Sequence, residues 1–470
     1  MNLIKVSQKD YNINYLLALA FSSAMGGLLF GYDWVVIGGA KPFYEIYFDL
    51  KGSPHLQGWA MSSALVGCVL GAILAGLFSD KYGRKYPLLG AAFLFMLSAF
   101  GSGYVDTFSW FVFYRILGGV GIGIASALSP LYIAELAPGP LRGRFVSINQ
   151  LTIVIGILAA QVINYLIAEP VNEVLDTAAI DSSWNNHIGW RWMFWAELIP
   201  ASVFFLLMFT VPKSPRFLIK IGKEGEATRI LEKIGGRAYA SFELDNIKKS
   251  LVDNMSKVQK RELFHPKVKP ILVIGITLAV FQQWCGINVI FNYAEEVFTN
   301  AGYTVGEMLF NIIITGTVNF VFTLLAMRFV DNWGRRRMML FGAFGLTIIY
   351  SFLGLSYFLG WTGIPILILV VAAIATYAMT LAPVTWVILS EIFPNRIRGL
   401  AMSLATLTLW IASFALTYTF PILNNAFKAS GTFWLYGLIC LGGYLFILKK
   451  LPETKGKSLE EIENEFLNEY

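Results

Sequence analysis

Asp80-Lys-Tyr-Gly-Arg-Lys85 follows an apolar segment in the first half of this sequence, and Asp331-Asn-Trp-Gly-Arg-Arg336 follows another apolar segment 251 residues later. Two further motifs recur at similar spacing: Glu135, Arg142 and Gly143 as Glu391, Arg398 and Gly399, and Pro212-Lys-Ser-Pro-Arg216 as Pro452-Glu-Thr-Lys-Gly456. Short basic turns alone would only anchor helices at a membrane face. Matched acids, glycines and bases at three places indicate one unit that is duplicated in parallel.

The composition places this duplicated unit in a membrane. Of the 470 residues, 56% are apolar or aromatic and 14% are charged, whereas about 25% are charged in an ordinary soluble domain. The mean hydropathy is +0.61, and a transmembrane helix takes about 20 apolar residues. Continuous apolar segments predict helices rather than the alternating strands of an outer-membrane barrel. Twelve such segments lie near residues 14–40, 57–79, 87–106, 110–133, 147–168 and 190–212 and, after a polar stretch, near 270–298, 306–330, 338–360, 363–390, 400–421 and 431–449.

Lysine and arginine are distributed unevenly between the two membrane faces. Thirty of the 36 lie in loops on the side of the N-terminus, whereas the opposite loops hold Lys41, Lys51 and Lys428. Cytoplasmic loops carry the excess of basic residues, so we expect both termini in the cytoplasm of a cell and the spans in its inner membrane. Because the basic charge follows one face of the lipid bilayer, the net charge of +6 does not indicate nucleic acid as a partner.

Few residues suggest any chemistry other than transport. The three cysteines and three histidines form no cluster with metal-ligand spacing, so we expect no metal and no cofactor. A GxxxxGKS/T phosphate loop is absent from the sequence, which leaves downhill or ion-coupled transport. An intramembrane enzyme would need a buried nucleophile with its base, and a channel would more typically carry a short pore repeat. Both classes therefore fit worse than a transporter, which we expect to act as a monomer.

Five motifs are spread over nearly the whole chain: Gly76-Leu-Phe-Ser-Asp-Lys-Tyr-Gly-Arg-Lys85, Arg115-Ile-Leu-Gly-Gly119, Pro212-Lys-Ser-Pro-Arg216, Gln282-Gln-Trp-Cys-Gly-Ile-Asn288 and Pro452-Glu-Thr-Lys-Gly456. Together they resemble the sugar porter family of the major facilitator superfamily, and most closely its bacterial sugar:proton symporters of the D-xylose type. The resemblance implies an all-α membrane protein with twelve transmembrane helices in two six-helix bundles, the major facilitator fold, and a cytoplasmic helical domain. It also implies a sugar site between the bundles and alternating access. We expect bundles at 1–212 and 270–450, the helical domain at 213–269, and a cytoplasmic tail at 451–470.

Amides in the seventh apolar segment are typical of a sugar pocket. A pyranose presents hydroxyls around a ring, and amide groups both donate and accept hydrogen bonds. Gln282 and Gln283 would lie about 100° apart on a helix and bracket one ligand, with Asn288 beyond Gly286. Amides in an apolar span are costly unless they are paired or hydrated. They therefore predict a polar cavity, and amides that only join helices are the alternative.

The resemblance extends the sugar site to other positions. It implies sugar contact at Gln150, Gln282, Gln283, Asn288, Asn319 and Trp386, with Phe30, Tyr377 and Trp410 as an aromatic wall and Tyr293 beside the amides. Three positions depart from the pattern of the family. Leu409 stands where relatives have a polar amide, Ala382 replaces a glycine, and Asn292 stands where a tyrosine is usual. The sugar is therefore left open among aldopyranoses such as D-xylose, glucose and arabinose.

Asp33 in the first segment is the candidate for proton coupling. A carboxylate within a membrane span needs a partner or a proton, and the resemblance pairs Asp33 with Arg115. Symporters of the family carry Asp at this position, whereas facilitators tend to carry Asn. We therefore expect a secondary active transporter that imports a monosaccharide with protons. The alternative is a uniporter in which this pair only braces two helices, and the role of a second acid, Glu197, stays open.

Charged residues at the inner ends of the helices form a predicted cytoplasmic gate. The two sets are Arg84, Glu135, Arg142 and Arg216 in the first half and Asp331, Arg335, Glu391 and Arg398 in the second. We expect them to pair across the bundles when the cytoplasmic side is closed and to separate when it opens. Single surface pairs contribute only ~0–1 kcal/mol, but a network biases a two-state equilibrium.

Overall fold

A computed structural model of the chain describes residues 11–169, 177–253, 265–266, 268–394, 397–455 and 461. The helices of the first half are α1 Ile13–Tyr47, α2 Pro54–Tyr82, α3 Lys85–Tyr104, α4 Phe108–Leu136, α5 Arg142–Ile167, α6 Thr177–Asp181, α7 Trp190–Trp195 and α8 Leu198–Thr210. The polar stretch contains α9 Pro215–Lys220 and α10 Glu224–Asp253. The second half contains α11 Lys269–Trp284, α12 Ile287–Asn292, α13 Ala294–Asn300, α14 Val305–Trp333, α15 Arg335–Phe358, α16 Ile364–Met379, α17 Leu381–Ile392 and α18 Arg398–Lys450.

The helices supply twelve membrane spans, as the sequence predicts. In the described part of the chain, 11 helical segments are long and apolar enough to cross a membrane, and the last of them, Arg398–Lys450, has 53 residues. A helix of that length would measure about 80 Å, against a hydrocarbon core of about 30 Å. Its backbone leaves the helical region at Lys428, where φ is 58° and ψ is 173°. The segment is therefore two spans joined by a tight turn.

Three spans are interrupted, and each interruption adjoins a candidate site residue. The sixth span breaks between α7 and α8 at Glu197, and the tenth breaks between α16 and α17 at Thr380. The seventh span breaks between α11 and α12 at Gly286, where φ is 84°. A Cβ at Gly286 would lie 2.9 Å from the Tyr436 ring, so both backbone and space require glycine there. Gln282 and Asn288 consequently lie on opposite sides of this break.

The N-terminal end of α1 is attached to the helices of the polar stretch. The backbone N–H of Asn12 donates to the carbonyl of Ile234 at 2.8 Å, and the Tyr11 ring packs on the Tyr239 ring with 5.4 Å between centroids. Burial raises the pKa of the Tyr239 hydroxyl above its ordinary value. The predicted domains 213–269 and 451–470 fall partly on residues 254–264, 267, 456–460 and 462–470, which lie outside the described residues.

We call the face on which Asn12 and Leu451 lie the terminal face, and the other the distal face. On the distal side the two halves are in direct contact. His55 Nδ1 lies 3.2 Å from the Tyr418 hydroxyl, and a Cβ added to Gly58 would lie 2.3 Å from the carbonyl oxygen of the same tyrosine. A second contact between the halves joins α5 and α14, where the Tyr165 and Phe310 rings lie 6.0 Å apart. The bundles therefore close against each other toward the distal face.

Candidate functional site

The amides of the seventh span form a hydrogen-bonded chain. Asn288 Nδ2 donates to Gln283 Oε1, Gln283 Nε2 donates to Gln282 Oε1, and Gln282 Nε2 donates to the Tyr377 hydroxyl at 2.7 Å. All four side chains are buried. Each amide in this chain still has one N–H and at least one lone pair that these bonds do not use. The structure thus brings four predicted residues together as one polar surface with unused hydrogen-bonding capacity.

Aromatic residues from both halves adjoin one another. The Phe30 and Trp410 rings lie 5.8 Å apart, and Trp34 lies 6.0 Å from Phe30 and 6.1 Å from Trp410. Phe30 and Trp34 are on α1, whereas Trp410 is on α18, so the three rings bridge the two bundles. Nothing in the sequence singles out Trp34. An aromatic residue within an apolar run carries no signal that separates it from a lipid-facing one.

The other predicted sugar residues lie on neighbouring helices. Gln150 on α5 is half-buried and Asn319 on α14 is 6% exposed, and these two helices pack against each other across the bundle interface. Trp386 on α17 is 37% exposed. Tyr293 differs from the rest, because its hydroxyl donates to the Thr417 carbonyl at 2.7 Å and its ring packs on Phe420. Its hydroxyl is therefore engaged by the protein backbone.

The three positions that depart from the family pattern are at least half-buried. Leu409 and Asn292 are each 4% exposed, and Ala382 is half-buried near the start of α17. Asn292 and Arg115 line a cavity of about 10 Å³ together with Trp34, which is at the lower limit of the space that one water molecule needs. In the described residues, Asn292 Oδ1 and Arg115 Nε have no hydrogen-bond partner. A single water in this cavity would have polar neighbours on both bundles.

Asp33 and Arg115 form the ion pair that the resemblance implies. Arg115 Nη1 pairs with Asp33 Oδ1, and Arg115 Nη2 donates to the backbone carbonyl of Asp33 at 3.2 Å. The side chains of Asp33 and Arg115 are 1% and 2% exposed, and the guanidinium lies 5.6 Å from the centroid of the Phe194 ring. The pair thus joins α1 and α4 away from water.

Glu197 is the third charged residue of this site. It is 1% exposed and lies at the break between α7 and α8. Among the described residues, both of its carboxylate oxygens and Asp33 Oδ2 have no hydrogen-bond partner, and Glu197 lies near enough to interact electrostatically with Asp33 and Arg115. Two carboxylates bond to each other only when one carries a proton. One proton would therefore satisfy oxygens that are otherwise unpaired.

The predicted gate residues on the terminal face form ion pairs within each half. Arg84 Nη2 lies 2.7 Å from Glu135 Oε1, and Arg335 Nη2 lies 3.2 Å from Glu391 Oε1. Glu391 also accepts a hydrogen bond from Thr454 at 2.6 Å.

In the part of the chain that the structure describes, Arg142, Arg216 and Arg398 form no such ion pair. Arg142 is exposed and Arg216 is half-buried, and Arg398 Nε donates to the Phe393 carbonyl at 3.2 Å. The side chain of Asp331 lies outside the described part of the chain.

One expectation about charge was wrong. Lys41 does not lie in a loop on the distal side; it is inside α1, is 1% exposed, and pairs with carboxylates. The predicted segment near 14–40 ends one residue before Lys41, but α1 continues through Pro42 to Tyr47. Lys41 can lie inside this longer helix because carboxylates from the other half compensate its buried ammonium.

Twelve spans in two halves that meet around buried amides and a buried ion pair define a polytopic membrane transporter with the major facilitator fold. Residues 19–466 match the family described as Sugar (and other) transporter. The chain belongs to this family, the sugar porters of the major facilitator superfamily.

Individual relatives support the same assignment. The chain is 40% identical to the D-xylose-proton symporter of Escherichia coli (strain K12), over 97% of this chain and 96% of that protein. It is 37% identical to the arabinose-proton symporter of Bacillus subtilis (strain 168), again over 97% and 96%. Its fold is similar to the inward-open conformation of the xylose transporter XylE from E. coli, with a TM-score of 0.84 and 38% identity over 96% of this chain and 99% of that one.

Proposed function

We propose that this protein imports a monosaccharide together with protons by alternating access. The observation that carries the proposal is the buried group of Asp33, Arg115 and Glu197. Two relatives with this family's fold are named proton symporters, one of D-xylose and one of arabinose.

One proton would neutralise the group of Asp33, Arg115 and Glu197. Arg115 contributes one positive charge and the two carboxylates contribute two negative charges, so the fully ionised group has a net charge of −1. A net charge held away from water costs several kcal/mol. A proton shared by Asp33 and Glu197 makes the group neutral and completes its hydrogen bonds. The site therefore has a chemical reason to bind and release one proton as its access to water changes.

Asp33 is also placed to communicate with the sugar pocket. It lies on α1 between Phe30 and Trp34, whose rings contact Trp410 on the opposite bundle. Protonation of Asp33 weakens its attraction to Arg115 and so changes how firmly α1 is held to α4. Rocking of α1 then alters the aromatic contact with α18. In this way a proton at the ion pair and a sugar at the aromatic wall bias the same two-state movement.

The amide chain suits an aldopyranose such as D-xylose, glucose or arabinose. Its unused N–H groups and lone pairs can each meet a ring hydroxyl, and Gln150, Asn319 and Trp386 on neighbouring helices would complete the contact. The aromatic side chains Phe30, Tyr377 and Trp410 offer apolar surface to the ring faces. Leu409, Ala382 and Asn292 would set which aldopyranose fits best. No covalent chemistry is needed, and we place the protein among transporters rather than enzymes.

The orientation that we propose puts the terminal face in the cytoplasm and the spans in the inner membrane. The excess of lysine and arginine on the terminal side supports it. With that orientation, contact between the bundles on the distal side closes the external entrance, which agrees with the similarity to an inward-open structure. A single chain holds both halves of the pocket, so we propose a functional monomer with bundles at 1–212 and 270–450.

The pairs Arg84–Glu135 and Arg335–Glu391 would be the open form of the cytoplasmic gate. Each pair joins residues of one bundle in this conformation. When the cytoplasmic side closes, we propose that these charges, with Arg142, Arg216, Asp331 and Arg398, exchange partners across the bundles. Alternation between partners within a bundle and partners across it gives two discrete arrangements of similar energy.

A sugar uniporter is the second candidate. The observation in its favour is that Asp33 and Arg115 already form a buried ion pair, which could brace α1 against α4 without ever titrating. Uptake by purified protein in liposomes, across a panel of sugars and with or without a pH gradient, separates the two. A symporter concentrates its sugar when the gradient is imposed, whereas a uniporter only equilibrates it.

A further inference from the structure

A second group of buried charges lies near the distal face, away from the proposed proton site. Lys41 Nζ lies 2.8 Å from Glu295 Oε2, 2.8 Å from Glu296 Oε1 and 3.3 Å from Glu45 Oε1. Lys41 and Glu45 are on α1, whereas Glu295 and Glu296 are on α13 of the other half. Lys41, Glu45 and Glu295 are 1%, 3% and 8% exposed. We call these four residues the distal charge cluster.

Two further helices hold the cluster in place. Gln57 on α2 donates to Glu45 at 3.2 Å, and Asn424 on α18 donates to Glu296 at 3.1 Å. The Lys41 ammonium also lies 5.7 Å from the centroid of the Tyr293 ring. Each half of the protein therefore contributes a helix that carries charge and a helix that carries an amide. Opening the distal side must break Lys41 away from Glu295 and Glu296.

The cluster lies beside a cleft of about 680 Å³ that Gln57, Glu296 and Asn424 help to line. The rest of the lining is largely polar and includes Lys51 and Lys428. In the orientation proposed above, this cleft is the external vestibule. Water and protons from outside reach the edge of the cluster, although the bundles are closed beneath it.

The charges of the cluster do not balance. One ammonium faces three carboxylates, so the fully ionised cluster has a net charge of −2. Besides Lys51 and Lys428 of the cleft, the titratable groups around the cluster are the phenols of Tyr44 and Tyr293. The guanidinium of Arg115 also acts electrostatically on Tyr44. A buried excess of negative charge is costly, and each carboxylate that is protonated lowers it by one. When the bundles part, the carboxylates are hydrated and separated, so the reason to hold those protons disappears.

We propose that Lys41, Glu45, Glu295 and Glu296 form a proton-linked latch on the external side of the transporter. The latch closes when the cluster takes up at least one proton from outside, and it opens when that proton returns outside. The closed state holds more protons than the open one, so acid external pH favours closure. Each additional proton changes the closed-to-open ratio by up to about tenfold per pH unit. The proposal rests on the orientation given under the proposed function, but not on the sugar or on Asp33.

The test measures the distance between the bundles on the distal side. Thr107, before α4, and Thr362, before α16, are both exposed, and spin labels on cysteines at these positions report opening by pulsed electron spin resonance. The native Cys68, Cys285 and Cys440 are buried. Distances are recorded between about pH 5.5 and 8 in the Asp33→Asn background, which removes the central proton site.

Three variants separate the outcomes. Glu45→Gln with Glu295→Gln leaves Lys41 paired with Glu296 alone, and we expect the short distance at every pH. Lys41→Met leaves three carboxylates together, and we expect the long-distance population to rise at least about tenfold at neutral pH. Lys51→Met, which removes an exposed lysine of the vestibule, should behave like its parent. If Lys41→Met fails to fold, the test of the latch rests on the pH response of the double variant, which carries less buried charge.

Two results would overturn the latch. One is a distance distribution that does not change with pH in the parent, and the other is an unaltered pH response in the double variant. Neither result affects sugar-driven proton movement through Asp33, which is measured separately. A protein in which sugar drives no proton movement can still have the latch.

Discussion

Arg115 binds Asp33 at two points: Nη1 pairs with the carboxylate, and Nη2 donates to the backbone carbonyl of the same residue at 3.2 Å. The second bond does not depend on the charge of the Asp33 side chain. Arg115 therefore stays attached to α1 when the carboxylate takes up a proton. A pair held in this way can titrate without losing the contact between α1 and α4.

Asp33→Asn keeps the shape of the side chain and removes the proton site. We expect gradient-driven accumulation of sugar to disappear while sugar binding persists, because the amide chain is on other helices. Loss of the counter-ion of Arg115 should also slow conformational exchange. Uptake and equilibrium binding are measured on the same preparation. Asp49→Asn is the control: Asp49 is exposed near the end of α1 with φ of 53°, a conformation that Asn tolerates, and accumulation should be unchanged.

Glu197→Gln tests the charge balance of the proton site. In this variant Asp33 and Arg115 balance each other beside a neutral amide, and the group needs no proton. We therefore expect sugar-induced proton uptake to fall and to require a lower pH. Proton uptake is recorded against pH for this variant and for Glu169→Gln, which changes an exposed acid after α5. An unchanged pH profile in Glu197→Gln would mean that Glu197 only caps a polar region of the sixth span.

The sugar pocket is tested by three substitutions. Gln282→Ala and Trp386→Ala should abolish sugar binding and leave the protein folded. Tyr377→Phe removes only the hydroxyl that accepts from Gln282, and we expect binding to weaken about tenfold, equivalent to ~1.4 kcal/mol.

The matched control for Tyr377→Phe is Tyr350→Phe. Tyr350 is 0% exposed on α15, and its hydroxyl has no hydrogen-bond partner among the described residues. Calorimetric titration with xylose, glucose and arabinose gives the affinities. Normal binding in both alanine variants would remove the proposed pocket.

The sequence predicted the duplicated fold because its signals are local or periodic. The twelve spans and the cytoplasmic motifs can each be recognised within one segment. The distal charge cluster could not be predicted in this way. Lys41 and its partner Glu295 are 254 residues apart, and a lysine near the end of a span usually extends toward water. Only the packing of α1 against α13 shows that this lysine is buried.

Glu391→Gln tests the cytoplasmic gate. If Glu391 pairs across the bundles in the state that is closed toward the cytoplasm, its neutralisation should raise the inward-open population. The accessibility of single cysteines from each side of the membrane measures that population. Glu232→Gln, on the surface of α10, is the control. Equal accessibility in Glu391→Gln and in the unmodified protein would count against the gate.

Sugar movement through this transporter should carry protons, and the pH outside liposomes that contain the unmodified protein reports it. Liposomes that contain the protein receive a sugar gradient and no pH gradient, and the external pH is recorded. We expect the external medium to become more alkaline as sugar enters, and this response to be absent in Asp33→Asn. Sugar entry with no change of pH would show that Asp33 and Arg115 are a structural brace and that the protein is a uniporter.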